Sequence, residues 1–145
     1  MARVLSVNLS EKRGTGKLPI GEGWFEIGHG LLGDGHAGNW NRQVCLFSVK
    51  SLEQLDESER KACEETYSEN ITIDELTIHT LPIGTKIRAG EALFEITQIG
   101  KPFVKDQSDH TAREVIMHKE GVFMVVLKSG RIQTGDSVTI EGQQE

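Results

Sequence analysis

Cysteine, proline and long apolar runs are all scarce in this 145-residue sequence, and each scarcity excludes a class of protein. The two cysteines, Cys45 and Cys63, are too few for a disulfide framework and lack the CxxC spacing of metal or redox motifs. No run approaches the roughly 18 apolar residues of a membrane span, and the first residues lack the apolar stretch of a signal peptide. We therefore expect a cytoplasmic protein with free thiols and no membrane partner.

Basic residues are also fewer than acidic ones, 16 against 22, and the distribution of charge limits the kinds of molecule that this protein can bind. The formal net charge is −6, yet residues 53–75 hold nine acidic and two basic residues, so that segment carries −7 and the remainder +1. We expect the acidic segment to form a solvated face. No basic stripe with interleaved aromatic residues is present, which argues against a nucleic-acid partner. The rest of the surface can still hold an anionic small molecule.

Glycine, in contrast, is abundant, with 16 residues, or about 11% against a background of about 7%. Residues 27–47 hold five glycines, two histidines, an aspartate, an arginine and a tryptophan between two apolar runs. Glycine permits positive φ and close approach to a ligand, so this stretch predicts a binding loop; a purely structural loop is the alternative. It spells GxGxxG twice, but a strand-like run follows instead of the helix that dinucleotide binding needs.

The apolar patterning predicts mostly short strands. One helix is predicted at residues 49–57, with Ser51 and Gln54 as a capping box, and it resumes at 59–66. Residues 106–117 are weakly helical. The predicted strands are residues 3–9, 24–27, 43–47, 70–73, 78–81, 86–88, 92–99, 122–127, 131–133 and 137–140. Many closely spaced strands with few helices favour a mainly β barrel or sandwich, and 145 residues suit one domain, 1–145.

Four segments of this sequence resemble the MOSC domain, named for the C-terminal domain of molybdenum cofactor sulfurases. The resemblance is to the small stand-alone bacterial type, and the segments follow the family's order. They are GLLGDGHAG with NRQVCL (residues 30–46), SENITIDEL with LPIGTKIRAGEALFEITQIGK (68–101), MHKEGVFMVVLKSG (117–130) and RIQTGDSVTI (131–140). The resemblance implies a mainly β fold, a closed or partly closed β-barrel with one or two flanking helices.

The resemblance also implies a pocket for the molybdenum cofactor (molybdopterin) or for sulfur transfer. Family-level associations include molybdenum ion binding and pyridoxal phosphate binding. The implied partners are an anionic small molecule and a molybdenum enzyme or sulfurtransferase. In members that bear it, a cysteine just after the strand ending in IGK is the sulfur carrier or molybdenum ligand. Phe103 stands at that catalytic position here, and a phenyl ring is neither a nucleophile nor a soft metal ligand.

Six residues are candidates for ligand binding because they match the family's pocket motifs. Arg42 offers a planar fork suited to the phosphate of molybdopterin, and the Asn70 amide can pair with a pterin edge. Each has a structural alternative, such as a self-capping turn for the aspartate or an ion pair for the arginine. The six are Asp34, His36, Arg42, Asn70, Lys101 and Glu120.

The remaining histidines and cysteines give weaker signals. His29 is a lone loop histidine, and His110 and His118 lie eight apart without further ligands, so we expect no metal site. Cys45 is expected to be a buried small hydrophobe, with orientation toward the pocket as the alternative. Cys63 lies among carboxylates that disfavour its thiolate.

Three functions remain open at this point. The first is a binding protein for the molybdenum cofactor or a related anionic pterin, without thiol chemistry. The second is a sulfur-transfer enzyme, or one that reduces N-hydroxylated compounds, with a displaced cysteine. The third is a non-catalytic interaction module that binds no small molecule.

Overall fold

The structure is a computed structural model that describes residues 2–12, 16–58, 67–101 and 112–142. Glu57 and Ser58 are helical at the edge of one gap. The other elements within the described residues are eleven strands, one 3₁₀ helix and one α-helix. In chain order they are β1 (Val4–Leu9), β2 (Leu18–Pro19), β3 (Glu22–Glu26), β4 (Gly30–Leu31), β5 (Val44–Ser48), the 3₁₀ helix (Val49–Gln54), β6 (Ile71–Ile73), β7 (Lys86–Ala89), β8 (Ala92–Ile99), α1 (Ala112–Glu120), β9 (Val122–Lys128), β10 (Gly130–Gln133) and β11 (Val138–Ile140).

Two sheets contain these strands, so the mainly β prediction is confirmed. Eight strands form one sheet in the order β11-β7-β8-β9-β5-β6-β1-β2, and three form another in the order β10-β3-β4. Among the described residues the large sheet does not close into a ring by continuous strand pairing, so of the predicted closed or partly closed barrel the fully closed form is not observed. A single isolated bridge between Arg3 and Ser137 brings the start of β1 to the start of β11.

The main core lies between the two sheets. Phe25 on β3 meets Phe94 on β8 edge to face, with ring centroids 5.6 Å apart and planes at 85°. Edge-to-face contact is a preferred arrangement for aromatic pairs because the positive ring edge meets the negative face. Both side chains are fully buried, and the contact joins the small sheet to the large one.

Strand β5 is buried on both faces, which explains its unbroken apolar run. Val44 and Leu46 face the main core. Cys45 and Phe47 face a second cluster, formed with Leu52 of the 3₁₀ helix, Ile116 and Met117 of α1, and Phe123 of β9. The β5 strand therefore separates the main core from the cluster that includes Cys45.

Several predicted elements have different bounds or types in the structure. The helix predicted at 49–57 is the shorter 3₁₀ helix, and its N-cap is Ser48, whose hydroxyl accepts from Lys50 N at 3.3 Å. The predicted capping box is wrong because Ser51 lies inside that helix, where its carbonyl accepts from the Gln54 side chain at 2.7 Å. The continuation at 59–66 lies outside the described residues.

Residues 78–81 were predicted as a strand and form none. The prediction recognised burial, since Ile78 is fully buried, but a turn with Leu81 N donating to Ile78 O at 3.1 Å fixes the backbone. The weakly helical pattern at 106–117 contains the start of α1, and residues 106–111 lie outside the described part. Strand β8 has the predicted bounds. No helix in the described ranges is long and apolar enough to cross a membrane.

Candidate functional site

A pocket of about 270 Å³ opens where α1 packs near the ends of β5 and β8. Its lining is cationic and aromatic. Four residues predicted from the sequence line it, namely His36, Arg42, Asn70 and Lys101. The other lining residues are Lys17, Trp40, Cys45, Ser68, Met117, His118 and Phe123. The structure thus brings together residues from five separate regions of the chain.

The GDGH loop is anchored beneath this pocket by Asp34, whose side chain is fully buried. One carboxylate oxygen accepts from Ser10 N at 3.1 Å, and the other accepts from His36 N at 3.2 Å. The glycines flanking Asp34 allow the tight path, and Gly33 has φ of +91°. Asp34 therefore holds the loop to the end of β1 and does not itself line the pocket.

Lys17 is the buried partner of Asp34. Its Nζ lies 2.7 Å from Asp34 Oδ1, and the two side chains are 3% and 0% exposed. The ammonium also contacts Ser10 Oγ at 3.3 Å and His36 Nδ1 at 3.3 Å. Burial alone would raise the pKa of Asp34, but the hydrogen bond and charge of Lys17, with the Ser10 amide and Asn70, hold the pKa below its usual 3.8.

Arg42 is held against two aromatic rings at the pocket wall. Its guanidinium carbon lies 4.7 Å from the Trp40 ring centroid and 5.7 Å from that of Phe123. Cation–π attraction at such distances orients the planar group. Trp40 is in turn fixed by its indole N–H, which donates to His36 O at 2.9 Å.

Lys101 faces the same ring, with its Nζ 5.7 Å from the Phe123 centroid. Burial lowers the pKa of Lys101, and the charges of Arg42 and Lys17 add to that effect, while Cys45 opposes it. Within the described ranges, no carboxylate forms an ion pair with Arg42 or with Lys101. Two cations are thus directed to one small space without a described counter-charge.

Asn70 connects β5 to the end of β1. Its side-chain oxygen accepts from Cys45 N at 3.0 Å, and its amide nitrogen donates to Asn8 O at 3.4 Å. Its backbone N–H donates to Cys45 O at 2.9 Å. These bonds shape the pocket wall on which Asn70 lies.

Cys45 is a buried free cysteine, as predicted, and it also lines the pocket. Its Sγ lies 3.7 Å from Met117 Sδ, at thiol-to-thioether hydrogen-bonding distance. Burial raises the pKa of the thiol from 9.0 to about 12, with Glu69 adding to the rise and Lys101 and Lys17 opposing it. The nucleophilic thiolate is therefore strongly disfavoured at neutral pH.

A family model described as MOSC domain matches residues 33–139. This match extends over well more than half of the chain. The chain belongs to the MOSC domain family. The resemblance read from the four sequence segments is thereby confirmed.

The MOSC relatives agree with this assignment. The uncharacterized protein YflK of Bacillus subtilis (strain 168) is 25% identical over an alignment of 124 residues that covers 78% of this chain and 56% of YflK. The chain thus spans just over half the length of that relative. YuaD from Bacillus subtilis has a TM-score of 0.74 at 16% identity, with 99% of this chain and 98% of YuaD covered. YiiM from Escherichia coli has a TM-score of 0.65 at 22% identity, with 99% and 71% covered. These two structures show the fold alone.

Glu120 lies away from the pocket lining of this MOSC domain. Its Oε1 is 3.4 Å from His79 Nδ1, and its Oε2 accepts from Gln54 Nε2 at 3.0 Å. The carboxylate therefore connects the C-terminal end of α1 to neighbouring segments. Sequence matching selected Glu120 by the family motif alone, and it lies two positions after the pocket residue His118 on a helix that directs the two side chains differently.

Three residues considered in the sequence analysis fall where the structure gives no description. Phe103, at the family's cysteine position, and His110 lie outside the described residues, as does Cys63. His29 is not among the pocket residues. Across the described part of the chain, no group of three histidine, cysteine or acidic residues has the arrangement of a metal site.

Sequence reasoning missed Lys17, which lies at the end of a charged, glycine-containing segment. Nothing in that local sequence distinguishes Lys17 from an ordinary surface lysine. Trp40 had a better signal, because it lies within the glycine-rich stretch two positions before Arg42. His118 was considered only as a zinc ligand.

Proposed function

We propose that this MOSC-domain protein binds the molybdenum cofactor or a related anionic pterin, and does so without cysteine-based sulfur transfer. The observation that carries the proposal is the pair of cations, Arg42 and Lys101, directed to one pocket on the shared ring of Phe123. The whole chain has a net charge of −6, so this concentration of positive charge is a local property of the site.

The balance of charge favours a dianionic group. Lys17 is neutralised by Asp34 at 2.7 Å, so among the described pocket residues the lysine and arginine available to a ligand are Lys101 and Arg42. A phosphate monoester carries about −1.5 to −2 charges at pH 7. The planar guanidinium fork can bind two phosphate oxygens, and the ammonium can bind a third as a point charge.

The pocket suits the phosphate end of such a ligand. Its volume of about 270 Å³ is just below the range of about 300–1,000 Å³ that encloses drug-sized molecules. His36, Ser68 and Trp40 supply polar groups and one aromatic face beside the cations. The cofactor, when bound, would supply a redox-active molybdenum; the residues of this chain would hold and orient its anionic end.

The state of Cys45 supports binding over sulfur transfer. A carrier cysteine must become a thiolate to take up sulfur, and burial raises the pKa of Cys45 to about 12. Phe103 removes the thiol at the family's usual position. The alternative, a sulfur-transfer or N-hydroxy-reducing enzyme with a displaced cysteine, rests on the fact that Cys45 lines the pocket. An interaction module that binds no small molecule is the third candidate.

The direct test is anaerobic purification of the native protein, followed by oxidation to fluorescent pterins and metal analysis of the same sample. Pterin together with molybdenum would support the proposal, and pterin alone would indicate a precursor carrier. If a folded sample contains neither pterin nor molybdenum and also fails to bind cofactor that is added to it, the proposal fails. In that case the interaction module gains support.

The site is tested with Arg42→Ala and the matched control Arg131→Ala. Arg131 is an exposed arginine that does not line the pocket. Its guanidinium lies 3.4 Å from the carboxylate of Glu22. Losing a charged hydrogen bond costs about 1.5–3 kcal/mol, so Arg42→Ala should weaken pterin binding about 10- to 150-fold. Arg131→Ala should bind as the wild type does. Equal affinity of both variants would remove Arg42 from the site.

Phe103→Cys tests the lost chemistry. If position 103 corresponds to the family's carrier cysteine, the introduced thiolate should take the sulfane sulfur of thiosulfate and release sulfite, and mass spectrometry should detect the resulting persulfide. The comparison is made in a Cys63→Ser background, where the protein that keeps Phe103 has only the buried Cys45 and should form none. A variant that gains no persulfide would show that the alignment or the assumed mechanism is wrong.

The wider setting follows from the same proposal. We place the protein in the cytoplasm as a single domain over residues 1–145, with a molybdenum enzyme or sulfurtransferase as its protein partner. Co-purification with such an enzyme from a cell that makes the cofactor would support this partner class.

A further inference from the structure

The Lys17 ammonium has three polar contacts with described residues, and one of them constrains the histidine of the GDGH loop. Its Nζ lies 2.7 Å from Asp34 Oδ1, 3.3 Å from Ser10 Oγ and 3.3 Å from His36 Nδ1. The Lys17 side chain is 3% exposed, so bulk water does not replace these partners.

An ammonium group has three N–H donors and no lone pair. At the contact with His36 it can only donate, so Nδ1 of the imidazole must be the acceptor. A neutral imidazole carries one proton, which then lies on Nε2. A doubly protonated ring would direct an N–H at the ammonium, and the contact would become repulsive.

Asp34 holds both members of this contact. Its Oδ1 binds the Lys17 ammonium, and its Oδ2 accepts from the backbone N–H of His36 at 3.2 Å. The carboxylate thus fixes the ammonium and the start of the imidazole side chain in one arrangement. The Lys17 backbone is held independently, because its N–H donates to Tyr67 O at 3.1 Å.

We propose that Lys17 is a positioning residue that holds His36 as a neutral imidazole with its proton on Nε2. His36 lines the pocket, so this tautomer places the N–H of an uncharged ring beside the two cations. An acceptor atom of the ligand, such as a carbonyl oxygen or a ring nitrogen on a pterin edge, is the partner that such an N–H would bind. The role in ligand binding rests on the proposed function; the tautomer itself does not.

The tautomer is tested without any ligand by two-bond ¹H–¹⁵N correlation spectroscopy at pH 7.5, with the His36 signals assigned through His36→Gln. We expect a pyridine-like Nδ1 and a pyrrole-like Nε2. A pyrrole-like Nδ1, or the pattern of an imidazolium ring, would overturn the proposal. This outcome is independent of whether a pterin binds.

The cause is tested with Lys17→Met combined with Asp34→Asn. Replacing both partners avoids leaving a buried charge unpaired, which would threaten folding. Lys128→Met, at an exposed lysine, is the control. We expect the double variant to lose the single-tautomer pattern and the control to keep it. An unchanged His36 pattern in a folded double variant would show that Lys17 does not set the tautomer.

The consequence for binding is then measured with a pterin phosphate. The double variant should bind it at least several-fold more weakly than the Lys128→Met control. If the tautomer changes but the affinity does not, His36 is not a ligand contact, and the positioning role in binding is wrong while the phosphate site at Arg42 stands.

Discussion

The guanidinium of Arg42 lies over the indole ring of Trp40, 4.7 Å from its centroid, and only one residue separates the two in sequence. The indole is itself fixed by a 2.9 Å hydrogen bond to the carbonyl of His36. The glycine-rich loop therefore both supplies the arginine and restricts its orientation. A guanidinium group whose orientation is already restricted loses less side-chain entropy when it binds an oxyanion.

Trp40→Leu should weaken binding of a pterin phosphate about two- to fivefold. The partly buried cation–π contact between Arg42 and Trp40 contributes at least about 0.5–1 kcal/mol. Without Trp40, the ligand would have to order the Arg42 side chain when it binds. Calorimetric titration measures the change. Trp24→Leu is the control, since Trp24 is exposed on β3 and pairs with Glu26. If both variants lose affinity equally, Trp40 has no special role at Arg42.

Asp34→Asn should destabilise the fold by about 3–5 kcal/mol, because it leaves the buried Lys17 ammonium without its counter-ion. Urea unfolding measures the loss. Glu22→Gln, which breaks an exposed pair with Arg131, should cost at most about 1 kcal/mol. Similar losses in the two variants would contradict the assignment of Lys17–Asp34 as a buried pair.

The Asp34 pair also predicts acid sensitivity. The pKa of Asp34 is lower in the folded protein than its usual 3.8, so its stabilising contribution is complete above that value. The contribution is lost as the pH falls from 3.8 through the folded pKa. The free energy of unfolding should therefore decline in this window for the wild type, and less steeply for Asp34→Asn. Parallel pH profiles would argue against a depressed pKa.

Cys45 should react slowly with iodoacetamide in the folded protein. With a pKa of about 12, roughly one molecule in 10⁴ is a thiolate at pH 8, about a thousandfold fewer than for an ordinary thiol. The measurement uses Cys63→Ser, so that one thiol remains, and the same sample unfolded in urea serves as reference. Rapid labelling of the folded protein would support the alternative that Cys45 serves a sulfur-transfer or N-hydroxy-reducing enzyme.

Gly30→Ala should destabilise the protein more than Gly28→Ala, although both glycines have positive φ. A Cβ on Gly30, at φ +116°, would lie 2.6 Å from the backbone oxygen of Gln43, whereas one on Gly28, at φ +74°, would meet nothing within 4 Å. Gly28→Ala should cost about 1–2 kcal/mol from backbone strain. Unfolding experiments that rank the variants in the opposite order would contradict the close approach of β4 to Gln43.

Local patterns were sufficient for much of the fold. The unbroken apolar run of β5 and the alternation of β8 predicted strands close to those observed. A strand buried on one face alternates apolar and polar residues, and a strand buried on both faces is apolar throughout. The same reasoning failed at residues 78–81. Burial of Ile78 produced a strand-like signal there, although a turn determines the backbone.

The pocket was only partly predictable. Arg42 and His36 were found because they lie in a glycine-rich motif, and Lys101 and Asn70 because they match family segments. Lys17 escaped because its contacts with Asp34 and His36 span 17 and 19 residues, and such pairing leaves no local pattern. Glu120 was selected by motif alone, and its carboxylate contacts His79 and Gln54 outside the pocket lining.

The sequence by itself determined the family, the mainly β class and the absence of a thiol at position 103, because these depend on residue identity and short-range periodicity. Tertiary structure alone decided which charges remain available. Only the folded chain brings Lys17 to Asp34 and neutralises it, while it places Arg42 and Lys101 on one aromatic ring. The charge of a site depends on distances between side chains that are far apart in sequence, and folding sets those distances.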